Sequence, residues 1–475
     1  MLIMNLLRSI ALYIFSFVLS VLPMEKYVEG VTGQPESFLP SQATSQIDKT
    51  VSKLIYRSLF KYDIYGVLVQ DLAESWELSE NGLTYTIKLK EGQKWSNGKE
   101  ITSDDLIYTA FKVSDLRDIA TDKVDSRTVR YTLPNRFSPF LSMLTVGVMP
   151  MDAEEKQNPL KPVSSANFRV ARIKKEGPVI REIILYNSDE TADIRKLYLR
   201  FYSNEDELVT AAKLGEINAF MHSEELELPR FENNKFPLQG VYYALFFNLR
   251  NEQLSDLEFR QKLVQVLPVR TLTSNCGIPV EGPISRSIYT DKSVNFYLYD
   301  EDFIPEYVGK TLNFIIPDTR KHKAMANEIE EYWENNLGLN VVVTAKDLEE
   351  IRGIIDDRDF EVLLYGQQIG RDPDRYVNWH STQQDLPGLN ISGFSQVKAD
   401  RALEEGRAVV SQQERQTHYS VFQETLMENI PVIFLYHPFV NFYVANNISE
   451  VGEKYTFNVW DRFIDFSNWK KVSLN

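Results

Sequence analysis

Two adjacent glutamines, Gln367 and Gln368, leave an apolar run at 360–365 that reads as a buried strand. Each amide offers donors and acceptors to a ligand backbone, the chemistry of holding a molecule rather than breaking one. The plainer alternative is a pair of solvent-facing loop glutamines. Residues for catalysis are present but scattered. The five histidines stand at 222, 322, 380, 418 and 437. No two are four apart, and none accompanies Cys276, the single cysteine, so no metal site is expected. His222 near Glu224 and Glu225 is the one tempting cluster, and a solvated loop accounts for it. There is no Gly-x-Ser-x-Gly, phosphate loop or His-Glu-x-x-His. No enzyme and no cofactor are expected; a hydrolase whose carboxylates converge only in three dimensions is the residual enzymatic reading. Cys276 reads as a small buried apolar side chain.

The elements that must position these residues alternate between strand and helix patterns, which indicates a mixed α/β chain. Trp76 and Leu78, a turn at Asn81-Gly82, then Leu83, Tyr85, Ile87 and Leu89 on one face predict a hairpin. Thr102-Ser103-Asp104-Asp105 predicts a capping box opening a helix to about Val113. Later, an apolar strand at 312–316 precedes Met325, Ile329, Trp333 and Leu337 at helical spacing, stopped by Gly338. Val341 to Val343 then resume as a strand, completing a βαβ unit. A helix is expected at 347–356. Ser411 and Glu414 cap another helix to about Asn429, and a strand is expected at 432–436.

The chain has 475 residues and a net charge of −15. That length predicts about two to four domains. An acidic chain disfavours a nucleic-acid partner, which needs a basic surface. Arg8 precedes an apolar run at 10–23. As a helix that run spans about 21 Å, short of a ~30 Å hydrocarbon core. It reads as a signal peptide, or with residues 1–7 as an uncleaved membrane anchor. The expected location is extracytoplasmic, in the periplasm or on the outer face of the cytoplasmic membrane.

The segment from Leu54-Ile55-Tyr56-Arg57-Ser58-Leu59-Phe60-Lys61-Tyr62-Asp63 through Asp71-Leu72-Ala73-Glu74-Ser75-Trp76 resembles the signature of family 5 solute-binding proteins. Asn81-Gly82-Leu83-Thr84-Tyr85-Thr86-Ile87, Trp95-Ser96-Asn97-Gly98-Lys99 and Ile101 to Leu106 continue it. Gly33-Gln34-Pro35, Phe247-Asn248, Asp372-Pro373-Asp374 and Trp379-His380-Ser381 extend the likeness over nearly the whole chain after residue 25. The resemblance implies a two-lobed periplasmic-binding-protein-like fold, class II and large type, with an extra hairpin-rich domain. It implies lobe I from 24–48, 160–245 and 446–475, an inserted domain at 49–159 and an α/β lobe at 246–445. It further implies a monomer that captures peptides, or a related small solute, and delivers them to ABC importer permease subunits by hinge closure. A membrane-tethered sensor of the same fold, or a binder of nickel complexes or sugars, is the alternative.

Departures from the family concern the ligand. The usual Gly-Thr-Gly-Pro-Tyr is Ser164-Ser165-Ala166-Asn167-Phe168 here, which implies another backbone path or a side chain filling the gap. The positions of the Trp and of the Asp that holds a peptide's amino group are Gly366 and Ile369. An isoleucine cannot pair with an ammonium. Asp372 is the substitute, with a turn role as the alternative. Besides Gln367, Gln368 and Ile369, the expected cleft residues are Phe247 and Asn248 at the crossover, or core for Phe247, and Gln34 in its loop. Tyr436 and His437 read as a packed Tyr and a surface His at a strand end.

Overall fold

The computed structural model describes residues 25–284, 299 and 306–472. The signal-peptide or anchor segment expected at 1–23 lies outside the described residues. Among them, no helix is long and apolar enough to cross a membrane.

One strand, Val432–Ala445, organises the molecule. Its first half pairs antiparallel with Val241–Phe247, placing Val432 opposite Phe246 and Tyr436 opposite Tyr243. Its second half pairs antiparallel with Ala219–His222, placing Asn441 opposite His222 and Val444 opposite Ala219. Beyond the first partner the sheet continues through Val362–Gln368, Thr311–Pro317 and Asn340–Lys346; beyond the second, through Glu25–Thr32, Ile194–Tyr202, Val179–Asn187 and Phe168–Glu176. Two lobes therefore share one continuous strand. The expected end at Tyr436 is too early. Pro438 argues for a stop because it cannot donate to a ladder. Here it closes one ladder opposite Gly277, and Phe439 opens the next opposite Pro237, so the missing donor falls at the change of partners.

The second lobe contains the expected βαβ unit. Thr311–Pro317 and Asn340–Lys346 pair in parallel on either side of the helix Arg320–Leu337. Met325, Ile329, Trp333 and Leu337 are buried on its inner face, and the Trp333 indole donates to the Leu263 carbonyl at 2.9 Å. Gly338 takes the left-handed conformation (φ 75°) that ends the helix. The helix expected at 347–356 is Leu348–Asp357, opened by a capping box between Asp347 and Glu350. Ser411 caps Gln412–Asn429.

The hairpin-rich region is a four-stranded sheet of Ala73–Leu78, Thr84–Leu89, Thr128–Thr132 and Ala120–Lys123. Tyr85, Ile87 and Leu89 point into its core. The helix Ser103–Lys112 has the expected capping box, with the Thr102 amide donating to Asp105 at 2.8 Å. Tyr131, Phe140 and Leu106 belong to the same apolar cluster as Tyr27 and Phe466 of the first lobe. This region thus shares a core with the first lobe.

Ser164 to Phe168 needs no left-handed backbone, so glycines are dispensable there. Amides of Ser165 and Ala166 both donate to the Ile55 carbonyl, at 2.9 and 3.0 Å, and the Arg57 amide donates to the Ser165 hydroxyl at 2.8 Å.

Candidate functional site

The polar segment expected to face the ligand begins where Val362–Gln368 ends. This strand pairs antiparallel with Val241–Phe247, so Gln368 stands opposite Val241 and Gln367 opposite Tyr242. Alternation then sends the two glutamines to opposite faces. Gln367 is buried: its Oε1 accepts from the Tyr242 hydroxyl and its Nε2 donates to the Leu389 carbonyl at 3.1 Å. Its amide is satisfied within the lobe. Gln368 is exposed. Ile369 is buried in the apolar cluster with Tyr242 and Trp379, and its amide donates to the Gly240 carbonyl at 2.9 Å.

Asp372 accepts two bonds from Arg415, at 2.6 and 3.0 Å, and one from the Asp374 amide at 2.9 Å. Desolvation works against charge on Arg415, but the bonds from Asp372 outweigh it and raise its pKa. A carboxylate so engaged has a structural role and is not displayed for an ammonium. Arg375, which sequence reasoning passed over, organises the same loop. Its guanidinium donates to the carbonyls of Pro283 (2.9 Å), Asp372 (2.7 Å), Gly370 (3.2 Å) and Asp374 (3.2 Å).

Phe247 and Asn248 are not at the crossover. They stand at the far end of Val241–Phe247, about 20 Å from the Val241 end at strand rise. Phe247 is wholly buried in the core. The Asn248 amide donates to the carbonyls of Arg358 and Phe360, at 2.9 and 2.8 Å, tying two loops of the second lobe together. Gln34 imitates a strand partner in the first lobe: its Oε1 accepts from the Ile180 amide at 2.8 Å and its Nε2 donates to the Ile180 carbonyl at 3.1 Å. His437 is buried and bonds the Val241 carbonyl through Nδ1 at 2.7 Å, so it is not a surface histidine. Tyr436 is buried and stacks on Tyr243, centroids 5.2 Å apart.

Arg371 joins the lobes, and the sequence signalled it only by its place before Asp372-Pro373. It leaves the second lobe and forms an ion pair with Asp461 of the C-terminal tail. Its guanidinium lies 4.4 Å from the ring centroid of Tyr62, 5.0 Å from Phe457 and 5.8 Å from Tyr455. Tyr62 comes from the hairpin-rich region and the other two from the tail, so three parts of the molecule meet on one cation. Asp461 also accepts from the amides of Phe457 and Asn458, at 2.9 and 2.8 Å. The helix Gln46–Ile55 packs against the turn Val459–Phe463 that carries Asp461. On that helix Lys53 is solvent-exposed, yet its pKa is pushed down to about 8. Surrounding protein is the main cause; Asp461 opposes it and Arg371 adds to it.

A second contact closes the same seam. The Arg407 guanidinium lies between Tyr376 (4.2 Å) and Phe137 (4.8 Å) and pairs with Asp374 at 2.8 Å. The Ser138 amide donates to the Arg407 carbonyl at 2.8 Å. Burial raises the pKa of Asp374, and Arg407 opposes the rise.

Comparison with known proteins gives the family. The oligopeptide-binding protein AppA of Bacillus subtilis is 23% identical, over 90% of this chain and 88% of its own. The ABC transporter substrate-binding protein CtaP of Listeria monocytogenes superposes with a TM-score of 0.79 at 20% identity, covering 94% of this chain and 99% of its own. NikZ of Campylobacter jejuni, solved with Ni(L-His), superposes with a TM-score of 0.72 at 21% identity, covering 95% and 100%. These two likenesses show the two-lobed fold. The model of the bacterial extracellular solute-binding proteins, family 5, middle region, matches residues 67–387. The chain belongs to the family 5 bacterial extracellular solute-binding proteins.

Proposed function

We propose that this protein is the substrate-binding component of an ABC importer, capturing peptides between its lobes and passing them to a membrane permease. In this reading residues 49–159 are inserted into a lobe I that runs from 24 to about 237 and resumes within Val432–Ala445, and the residues between form the facing lobe, which corrects the boundaries expected at 246 and 446. It works outside the cytoplasm as a monomer, exported or tethered through residues 1–23, and performs no catalysis. Of the expected ligand residues, exposed Gln368 is kept as a contact.

The observation that carries this reading is the pair of crossings between lobes, at 237–241 and within Val432–Ala445, beneath a seam held by Arg371. Two adjacent strand connections permit bending about one axis. A ligand that touches both lobes favours the closed form by the difference in its affinity for closed and open states. Relatives named for binding oligopeptides and dipeptides support peptide as the ligand class.

Calorimetric titration with pools of short peptides is the test. Saturable binding by a subset of peptides is expected. Binding of a nickel–histidine complex, with no peptide bound, would replace the peptide reading by a metal-chelate one.

A further inference from the structure

The outer strands of the first lobe carry cations without counter-ions. Lys26 stands opposite Lys196, Lys196 opposite Tyr186, and Tyr186 opposite Arg169, one row across four strands. Residues in register share a face of a sheet. The next row on this face runs Val28, Tyr198, Ile184, Arg172. Val170, Leu185 and Leu197, on the opposite face, belong to the core. The helix Glu205–Leu214 covers the outer face only at its Val28 and Tyr198 side. Lys26, Arg169 and Arg172 are exposed, and Lys196 is half-buried. The guanidinium groups of Arg169 and Arg195 both lie on the Tyr186 ring, 5.2 and 5.3 Å from its centroid. Among the described residues none of these five cations is ion-paired, whereas Lys174 and Arg200, on the same face, both bind Glu182. Asp189 is held mainly by the Thr191 hydroxyl and amide, with Arg195 a lesser influence. This excess of positive charge stands in a protein of net charge −15, so it is a local feature.

Its place is next to the chain's apolar start. The run at 10–23 ends one residue before the strand Glu25–Thr32. Three residue steps from Pro23 to Lys26 span at most about 10 Å. That is close to the Debye length of ~8 Å at physiological salt, so a surface holding that run feels these charges.

Resting on the tethered reading of residues 1–23 proposed above, we infer that this face docks on a bilayer containing anionic phospholipid, whose headgroup phosphates are the counter-ions of Lys26, Lys196, Arg169, Arg172 and Arg195. Arginine forks suit phosphate, and basic residues beside a membrane anchor are drawn to anionic headgroups. The tether brings the protein to the membrane, and the basic face sets the orientation in which the first lobe lies on it.

The experiment uses the full chain carrying a dye at Ala171→Cys, an exposed position beside Arg172, with the buried Cys276 left in place. Vesicles of phosphatidylcholine, alone or with about a third phosphatidylglycerol, carry a headgroup-bound acceptor, and both co-sedimentation and energy transfer are read. Co-sedimentation with both vesicles is expected from the tether. Energy transfer is expected to rise at least about threefold with the anionic lipid and to fall back in about 0.5 M salt. Lys26→Glu, Arg169→Glu and Arg172→Glu together are expected to abolish that rise, with melting temperature and co-sedimentation with neutral vesicles unchanged. Lys99→Glu, Arg352→Glu and Lys398→Glu together change the net charge equally at exposed positions elsewhere and are expected to keep the rise. Equal transfer on neutral and anionic vesicles, or a rise that survives the first triple variant, would overturn the inference and leave the tether standing. Co-sedimentation with anionic vesicles alone would overturn the tether and leave the face as the membrane contact. Co-sedimentation with neither would overturn both.

Discussion

At the scale of single residues, polar chemistry was easier to find in the sequence than to assign. Gln367 and Asp372 stand out by type and position, but Tyr242 and Arg415 consume them, and neither partner is near in sequence. Arg371 was overlooked because nothing local distinguishes a cleft arginine from a solvated one; its rings come from residues 62, 455 and 457. His322 shows the same dependence on distant neighbours. It is buried against Tyr243, with centroids 4.8 Å apart, and bonded to Thr319 at 2.9 Å. Burial, with Lys321 beside it, pushes its pKa down to about 4. The unfolded chain takes up this proton near pH 6.5 and the folded chain resists it. The stabilising contribution is complete above pH 6.5 and is lost as pH falls toward 4, by roughly 3 kcal/mol. Urea unfolding between pH 7 and 4 is expected to show a steeper loss for the wild type than for His322→Gln.

At the scale of elements, legibility followed locality. The capping box at Thr102, the cap at Ser411 and the Gly338 stop are written within a few residues, and each stands where the sequence places it. The strand Val432–Ala445 was read too short because its second half is held by Ala219–His222, more than two hundred residues earlier. The short strand Gly277–Pro279 is similarly invisible until its partner is known. A Cβ on Gly277 would lie 1.8 Å from the His437 carbonyl oxygen, so only glycine lets the backbones approach there. Gly277→Ala is expected to destabilise by about 1–3 kcal/mol through this overlap. Thermal melting checks it, with Gly353→Ala, where a Cβ meets open space inside the helix Leu348–Asp357, as a control expected to hold or slightly raise the melting temperature.

At the scale of the whole molecule, the resemblance supplied an architecture that local patterns cannot. Periodicity shows a hairpin region and a βαβ half, but not that the hairpin region shares its core with Tyr27 and Phe466. Boundaries placed at 246 and 446 also conceal that one crossing is the short turn at 238–240 and the other lies within the strand Val432–Ala445. The seam at Phe137 and Arg407 is a contact between the hairpin-rich region and the second lobe. Phe137→Ala removes one ring from that guanidinium, a contact worth about 0.5–1 kcal/mol. It is expected to weaken ligand affinity about twofold to fivefold. Small-angle scattering should show a larger radius of gyration for the unliganded variant and an unchanged one at saturation. An unchanged unliganded radius would mean that this contact does not bias closure.

The pairing of Glu29 with Arg462 carries a consequence for how the chain reaches its native state. Both groups are buried, they are separated by 433 positions, and Glu29 also accepts from the Tyr27 hydroxyl. Removing one partner of such a pair strands the other charge in the interior. The native burial of Glu29 in the opening strand of the first lobe therefore depends on residue 462 being in place. Contacts this distant in sequence delay folding, because the intervening loop must be ordered before they form.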